Sequence, residues 1–372
     1  MNLLVINLDK AIFSPGSKSL ERLKEYSRLA DKIFVIVWTK TAQNPIVFEN
    51  RLFIYPTNSR SRLSYYFDTF GISKKILAEH KIDLVFTQDA FETGLAGWFV
   101  ARKNKIKLQL QIHTDFLSPY FWRESLANKF RVCLGKFLIR RADGFRVVSE
   151  RIKKSLMVFG VAGEKIFVLP IFVDVEKIQS SLAGLSLKEK YPQFNFLMLM
   201  ASRFSREKNI GLAVEAMSDI VKKYPTAGLI IVGGGKEENL LKQKVKKYEI
   251  EANVVFEPWT DELIPYYKSA DLFLLISNYE GWGMSVAEAM AAGCPVVMTD
   301  VGCAGEIVKN NENGLVVPVN DRAAISGAVA RIMNEPALVQ KFKESGLKIK
   351  DRLMTQEEYL AKYKKSWEFC LR

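Results

Sequence analysis

The chain has 372 residues, 48% of them hydrophobic, which predicts two folded domains and excludes a disordered chain. Its formal net charge is +13, and residues 1–170, with 28 Lys and Arg against 15 Asp and Glu, account for the whole excess. Four cysteines without CxxC spacing and only two histidines exclude a zinc site, a disulfide framework and a histidine-rich metal site, and favour a reduced, cytoplasmic protein.

Membrane-spanning and signal segments are not expected. No apolar run approaches the ~20 residues that a transmembrane helix needs. Asp9 interrupts the apolar N-terminal run too early for a signal peptide.

The first half of the chain alternates short apolar runs with helical patterns. An amphipathic helix is predicted at 19–30, and strands at 2–8, 32–38, 83–88, 107–113 and 143–149. The strands are short and apolar on both faces, which is typical of a parallel sheet covered by helices.

The alternation restarts after a polar stretch at 176–195, so we expect a domain hinge at 171–195. Helical patterns follow at 336–350 and 356–372, and strands are predicted at 196–202, 228–234, 253–258, 271–277, 295–300 and 314–319. Two doubly wound α/β domains in series are expected. Such domains bind ligands at the carboxyl ends of their strands, facing a cleft between the domains.

Two loops of the second half carry residues suited to phosphate. Arg203 and Lys208 follow the strand at 196–202, at the start of a helix, where two cations could hold a diphosphate. A solvated basic loop is the alternative. Gly233 to Gly235 allow a close backbone approach to a nucleotide, but a plain tight turn explains them equally well.

The segment NYEGWGMSVAEAMAAGCPVV (278–297) holds two acids around a glycine-rich bend. Glu280 lies in the loop after a buried strand, and Glu288 lies about one turn into the next helix. The amides at 283–285 point outward from the helix start, where an anion can bind. A phosphate site with an acid on each side, each able to accept hydrogen bonds from hydroxyls, is suited to a nucleoside diphosphate sugar. Alternatively, the two acids are a turn residue and a solvent-facing helix residue.

Taken together, these segments resemble the retaining GT-B glycosyltransferases of family 4. EGWGMSVAEAMAAGCPVV resembles the Glu-x7-Glu motif of that family, and SRFSREKN resembles its Arg…Lys loop. The segments at 140–174 and 301–321 also resemble the family, and the resemblance is strongest from 196 to 321. It implies two Rossmann-like domains facing a central cleft. The acceptor domain would be 1–172 and the donor domain 173–354, with helix 355–372 packed back on the first domain.

The resemblance also assigns roles to residues. Arg203 and Lys208 would hold the donor diphosphate, Glu280 would contact the donor sugar, and Glu288 the ribose hydroxyls. The other donor-binding positions are glycines and helix-start residues: Gly16, Gly233, Gly234, Gly283, Met284 and Ser285. His113 matches the active-site histidine of the family, although a lone histidine is often structural. Asp115 is a weaker candidate.

The implied reaction is transfer of a sugar, with retention, from a UDP- or GDP-linked donor to a glycan or lipid-linked acceptor. Its setting would be the synthesis of a cell-surface polysaccharide or glycolipid. Asp-x-Asp is absent from the sequence, so no metal is expected, and no other cofactor. The segment PIFVD (170–174) departs from the Pro-Asn-Gly-Val-Asp of the family, which changes the interdomain turn.

The basic first half suggests an anionic partner. In the segment 128–142, Phe130, Leu134, Phe137 and Leu138 share one helical face, and cations lie on another. Either this is a crossover helix packed on the sheet, or it docks on the inner face of the cell membrane.

Three other functions remain open. A different GT-B enzyme, such as a nucleotide-sugar epimerase or a phosphorylase, would share the motifs. A non-catalytic relative would lack part of the acid and base set. Nucleic-acid binding is suggested by charge alone, without a recognition motif, so no nucleic-acid partner is expected.

Overall fold

The computed structural model describes residues 1–182, 184 and 186–372. The chain divides into two compact units, the first made of Met1–Pro170 with Glu357–Arg372 and the second of Ile171–Gln356. The first unit has 32 Lys and Arg against 18 Asp and Glu, a formal charge of +14. The second has 22 against 23, a formal charge of −1. The positive charge of the protein therefore belongs entirely to the first unit.

The first unit is built on an eight-stranded sheet. Its strands are β1 (Asn2–Asn7), β2 (Lys32–Val37), β3 (Ile46–Phe48), β4 (Leu52–Pro56), β5 (Leu84–Thr87), β6 (Lys107–Ile112), β7 (Gly144–Val147) and β8 (Ile166–Val168). The order is β3-β4-β2-β1-β5-β6-β7-β8. All neighbours are parallel except β3 and β4. The central strands are buried on both faces, as helices on both sides of a sheet require.

Seven helices belong to this sheet. They are α1 (Lys18–Ser27), α2 (Ser64–Glu79), α3 (Glu92–Asn104), α4 (Pro119–Glu124), α5 (Leu126–Ile139), α6 (Glu150–Val158) and the last helix of the chain, α15 (Gln356–Leu371). Short 3₁₀ turns lie at Lys10–Phe13 and Gly163–Lys165. Ser17, Ser125 and Ser149 accept backbone N–H bonds at the starts of α1, α5 and α6, so each helix begins at a capping serine.

Helix α15 packs on the sheet of the first unit. The Lys107 ammonium donates to the carbonyl of Leu371 at 2.9 Å. Tyr363 stacks on Tyr26 of α1, with ring centroids 4.1 Å apart. A Cβ at Gly144 would lie 2.7 Å from the sulfur of Cys370, so glycine there lets the helix approach β7 closely.

The second unit has a six-stranded parallel sheet. Its strands are β9 (Phe196–Arg203), β10 (Ala227–Gly234), β11 (Val254–Glu257), β12 (Leu272–Leu275), β13 (Val296–Thr299) and β14 (Leu315–Val317). The order is β11-β10-β9-β12-β13-β14. It reverses between β9 and β12, which is the switch point of a doubly wound fold, where ligands bind beyond the carboxyl ends of the strands.

The described residues of this unit form eight helices around the second sheet. They are α7 (Val175–Ser180), α8 (Leu187–Lys190), α9 (Ile210–Lys223), α10 (Glu238–Lys247), α11 (Ile264–Ser269), α12 (Met284–Ala291), α13 (Arg322–Asn334) and α14 (Pro336–Leu347). The 3₁₀ turns are Arg206–Lys208 and Lys348–Asp351. One core cluster joins β9, β10 and β12 to the apolar faces of α9, α13 and α14. Within the described residues of both units, no helix is long and apolar enough to cross a membrane.

The buried face of α5 differs from the predicted one. Val132, Gly135 and Leu138 face the interior, whereas Phe130 is 67% exposed. A Cβ at Gly135 would lie 2.5 Å from the ring of Phe116. The helix therefore turns its glycine toward the interior, which leaves Phe130 on the outside.

Gly233 and Gly234 form the end of β10, where they pair with Ser202 and Arg203 of β9. Gly233 has φ +150°, and a Cβ there would lie 2.0 Å from the carbonyl oxygen of Ser202. Gly235 has φ +154° and is similarly confined by Phe204, but a Cβ at Gly234 would meet nothing within 4 Å. Backbone packing is therefore sufficient to explain Gly233 and Gly235.

This difference gives a matched pair of variants. We expect Gly233→Ala to lower the free energy of unfolding by about 1–3 kcal/mol, because the strand end must shift to make room. Gly234→Ala should change it by less than about 0.5 kcal/mol. Urea unfolding of both variants measures this, and equal losses would contradict it.

Candidate active site

The switch point of the second unit brings two loops together. The loop after β9 leads through the turn Arg206–Lys208 into α9, and the loop after β12 leads into α12. Because β9 and β12 are paired neighbours, both loops start at the same edge of the sheet. Arg203, Lys208 and Glu280 therefore lie in adjacent loops although they are far apart in sequence.

Lys208 and Glu280 are in direct contact. The Lys208 ammonium donates to Glu280 Oε1 at 2.5 Å, and their side chains are only 17% and 12% exposed. The Ser277 hydroxyl donates to the same carboxylate oxygen at 2.7 Å. These bonds fix a half-buried carboxylate beside a half-buried cation.

Arg203 is presented differently. It ends β9, its side chain is 73% exposed, and its guanidinium lies 3.4 Å from Glu207 Oε1. A pair this long and exposed contributes little stability. The guanidinium can therefore exchange this partner for an anionic ligand at small cost.

Three asparagines tie the loops together. Asn209, in the left-handed conformation with φ 50°, donates through its amide to Asn278 Oδ1 at 3.0 Å and to Asn320 Oδ1 at 2.9 Å. The backbone N–H of Asn278 donates to the carbonyl of Glu207 at 2.7 Å. The loop that carries the cations is thereby fixed to the loop that carries Glu280.

The start of α12 offers backbone N–H donors. Gly283 occupies its N-cap with φ +93°, and no side chain in the described chain caps this end. Met284 is 43% exposed and Ser285 is half-buried. The amides of Met284 and Ser285 are therefore first-turn donors that the helix does not use.

Glu288 is held by a tyrosine of α11. The Tyr267 hydroxyl donates to Glu288 Oε2 at 3.1 Å. Burial and the charge of Glu288 raise the pKa of Tyr267 well above its usual value, so the phenol stays protonated and continues to donate. Glu288 is half-buried, not a solvent-facing helix residue.

The remaining candidates belong to the first unit. His113 follows β6, and its Nε2 lies 3.1 Å from Oε1 of Gln88, the residue after β5. Burial first, and then the charges of Arg146 and Arg22, lower the pKa of His113 to about 3, so the imidazole is uncharged at neutral pH. Gly16 has φ +70° in the turn before α1, with open space around its Cβ position.

Asp115 lies near His113 but has its own partners. Its carboxyl accepts from Ser155, and burial raises its pKa. Its Oδ1 has no hydrogen-bond partner within the described part of the chain.

Sequence reasoning missed the residues that position the candidates. Ser277, Tyr267 and Gln88 hold Glu280, Glu288 and His113, and no motif marks Tyr267 or Gln88, because their partners lie 21 and 25 residues away in sequence. Ser277 alone had a local signal, since it ends the predicted strand before Glu280. The described residues contain no group of three His, Cys, Asp or Glu placed to hold a metal ion.

Two family models match nearly the whole chain. Residues 24–177 match Glycosyltransferase Family 4, and residues 187–349 match Glycosyl transferases group 1. The chain belongs to the family 4 glycosyltransferases. The second match contains Arg203, Lys208, Glu280 and Glu288, and the first contains His113.

Relatives in the family carry different names. The chain is 30% identical over 241 residues to the alpha-monoglucosyldiacylglycerol synthase of Streptococcus pneumoniae, across 61% of this chain and 54% of that protein. It is 30% identical over 181 residues to the poly(glycerol-phosphate) alpha-glucosyltransferase of Bacillus subtilis, across 48% of this chain and 26% of that protein. The chain thus spans about half the length of the first relative and a quarter of the second.

Another relative is matched over more of its length. The UDP-Gal:alpha-D-GlcNAc-diphosphoundecaprenol alpha-1,3-galactosyltransferase of Escherichia coli is 24% identical over 280 residues. The match covers 71% of this chain and 70% of that protein.

Solved structures confirm the predicted GT-B fold. The sucrose-phosphate synthase of Thermosynechococcus elongatus has a TM-score of 0.80 and 20% identity, over 99% of this chain and 98% of that one. HepE of Anabaena, solved with UDP and glucose, has a TM-score of 0.78 and 18% identity, over 99% of both chains.

The Lys208–Glu280 contact predicts a strong energetic coupling. Lys208→Met leaves the half-buried carboxylate without its cation, and we expect it to lower the free energy of unfolding by about 1–3 kcal/mol. Adding Glu280→Met should recover part of this loss, giving a coupling of about 1–2 kcal/mol in a double-mutant cycle.

The exposed pair Lys242–Glu238 on α10 is a matched control, with a distance of 2.7 Å and side chains 53% and 42% exposed. The double-mutant cycle of this pair should give a coupling energy of less than about 0.5 kcal/mol. Equal couplings in the two cycles, measured by urea unfolding, would show that the Lys208–Glu280 contact is an ordinary surface pair.

Proposed function

We propose that the chain is a retaining glycosyltransferase that moves a sugar from a UDP- or GDP-linked donor to a glycan or lipid-linked acceptor. Its products would enter a cell-surface polysaccharide or glycolipid. The observation that carries the proposal is the Lys208–Glu280 contact at the switch point of the second sheet, beside Arg203 and the uncapped start of α12.

The donor is held through its charges and hydroxyls. The diphosphate takes the ammonium of Lys208, the guanidinium of Arg203 and the amides of Met284 and Ser285 as donors. Glu280 then accepts from sugar hydroxyls and Glu288 from ribose hydroxyls. Lys208 exchanges a carboxylate for a phosphate, so its charge stays paired throughout.

Transfer proceeds on one face of the anomeric carbon. The bond from that carbon to the leaving phosphate oxygen breaks through an oxocarbenium-like state. The acceptor oxygen bonds on the same face, and its proton passes to an oxygen of the departing phosphate. The chain supplies stabilisation of the leaving charge by Lys208, Arg203 and the α12 amides.

We propose that the reaction does not depend on a metal. Two side-chain cations and a helix N-terminus supply positive charge where the diphosphate leaves. His113 of the first unit contributes an uncharged imidazole that hydrogen-bonds a substrate hydroxyl. The names of two relatives include a diacylglycerol and a diphosphoundecaprenol, which supports a lipid-linked acceptor.

The test begins with a thermal-shift panel of UDP, GDP, ADP and their sugars, because a ligand of the folded state raises Tm. With the donor so identified, the product should keep the anomeric configuration of the donor in its NMR spectrum, and EDTA should leave turnover unchanged. Lys208→Met should lower kcat about 100-fold.

Lys223→Met, at an exposed position of α9, is the matched control and should retain full turnover. Inversion at the anomeric carbon would disprove retention, and loss of turnover in EDTA would disprove metal independence. Conversion of the donor without any acceptor would identify an epimerase instead.

We also propose that the first unit docks on an anionic bilayer at the cytoplasmic side. Trp122 of α4 and Leu126 and Phe130 of α5 form an apolar face, with Leu126 81% exposed. Arg123 and Lys129 are exposed beside it, and the unit carries a charge of +14. Exposed apolar side chains with cations beside them are suited to the headgroup region of an anionic membrane.

Vesicle sedimentation tests this docking. The protein should sediment with vesicles of equal phosphatidylglycerol and phosphatidylcholine at low salt, and not with phosphatidylcholine alone. Leu126→Ser with Phe130→Ser should abolish sedimentation, because the face loses its apolar contacts. Leu240→Ser, at a 57% exposed leucine of the second unit, should have no effect. A wild-type protein that stays in the supernatant at low salt rules the proposal out.

A further inference from the structure

Arg146 places a charge in the interior of the first unit. It lies in β7 and is 2% exposed, and it pairs in register with Gln111 of β6. The guanidinium donates to Gln111 Oε1 at 3.2 Å, to the carbonyl of Leu169 at 3.3 Å and to the Tyr359 hydroxyl at 3.3 Å. Its Nε has no hydrogen-bond partner among the described residues.

The groups in contact with this cation are uncharged. Besides the amide, the carbonyl and the phenol, the ring of Tyr363 lies 4.6 Å from the guanidinium carbon. Over the described ranges, no carboxylate pairs with Arg146. Burying a cation without an opposite charge is destabilising, so packing alone does not account for an arginine here.

Gln109, Gln111 and His113 occupy alternate positions along β6 and just beyond its end, and Arg146 is in register with Gln111. Gln109 donates to the carbonyl of Ser366 at 2.6 Å, and Gln111 accepts from both Arg146 and the Tyr363 hydroxyl, the latter at 3.0 Å. Residues two apart on a strand share one face of the sheet. Through Tyr363 and the Ser366 carbonyl, helix α15 therefore holds Gln111 and Gln109 in place. These glutamines lie on the same face of β6 as His113.

The bond from His113 to Gln88 sets the position of the imidazole proton. A carbonyl oxygen only accepts hydrogen bonds, so Gln88 Oε1 requires the proton on His113 Nε2. The neutral ring then keeps a lone pair on Nδ1, which can accept from a hydroxyl. Protonation of Nδ1 would remove that lone pair.

We infer that Arg146, held by Gln111 and by Tyr359 and Tyr363 of α15, is a positioning residue that acts together with burial to disfavour a charged His113, which leaves Nδ1 free to accept. The inference rests on the role proposed above for His113 and adds the groups that control its protonation. The last helix of the chain thereby contributes to the chemistry of the first unit without touching a substrate.

The other charged and titratable groups near Arg146 and His113 are consistent with this role. The cations acting on His113 are Arg146 of β7 and Arg22 of α1. Burial raises the pKa of Tyr26 and of Tyr363, so these phenols stay neutral. The nearby buried acids have their own hydrogen bonds and raised pKa values: Asp89, with Thr93, and Asp115, with Ser155.

Histidine NMR tests the inference without any substrate. The chain has only His80 and His113, so ¹⁵N-labelled histidine gives two sets of signals, with His80 as internal reference. Between pH 4 and 8, wild-type His113 should stay neutral with its proton on Nε2. Arg146→Met should raise the pKa of His113 by about one unit, so that the ring becomes partly protonated near pH 4. Arg146→Lys, which keeps the charge, should follow the wild type.

Unchanged His113 signals in Arg146→Met would overturn the inference, as would a shifted titration in Arg146→Lys. If Arg146→Met does not fold, as judged by its melting curve and the His80 signals, the wild-type spectrum decides. A wild-type His113 that becomes protonated between pH 5 and 8, or that carries its proton on Nδ1, also overturns it.

A failed glycosyltransferase assay would leave these spectra unaffected, so the two proposals fail separately. Where turnover is measurable, Arg146→Met should move the acidic limb of the kcat/KM profile toward higher pH. A uniform loss of kcat at every pH, without that movement, would indicate a merely structural arginine.

Discussion

The parallel pairing of β9 with β12 is the constraint on which the donor-side geometry depends. Met198 and Leu199 register against Leu272 and Phe273, and this register places the two following loops at one edge of the sheet. Lys208 then reaches Glu280 across 72 residues of sequence. Because the asparagine contacts fix both loops to each other, the ion pair is set by the sheet and not by the flexibility of long side chains.

The sequence was sufficient for the fold class, because strands buried on both faces read as continuous apolar runs whatever their partners are. It was not sufficient for β3, β4 and β8. The alternating burial of β4 reflects its place beside the antiparallel edge strand β3, and β8 is a three-residue edge strand. Such strands are defined by their neighbours, which a single sequence does not reveal.

In the candidate site, too, some residues could be predicted from the sequence and others could not. Arg203, Lys208 and Glu280 could be selected from the sequence because each follows a predicted buried strand, and the structure brings Lys208 and Glu280 into contact. Tyr267 and Gln88 are not recognisable, since each acts only by meeting a distant acid or histidine. Close backbone packing is sufficient to explain the glycines at 233 and 235, and α5 departs from its predicted apolar face because Phe130 lies on the outside.

The two units manage buried charge in different ways. In the second unit, Lys208 and Glu280 neutralise each other, as do Lys190 and Glu257, whose carboxylate also accepts from Tyr191 and Tyr266. In the first unit, the described groups that contact Arg146 are dipoles and an aromatic face. A paired charge can exchange its partner for a ligand. A cation surrounded by neutral groups has no such partner to exchange, so its electrostatic effect on its neighbours is the same whether or not a ligand is bound. The first arrangement suits a residue that must bind and release an anion, and the second suits one whose charge acts with burial against protonation of an imidazole.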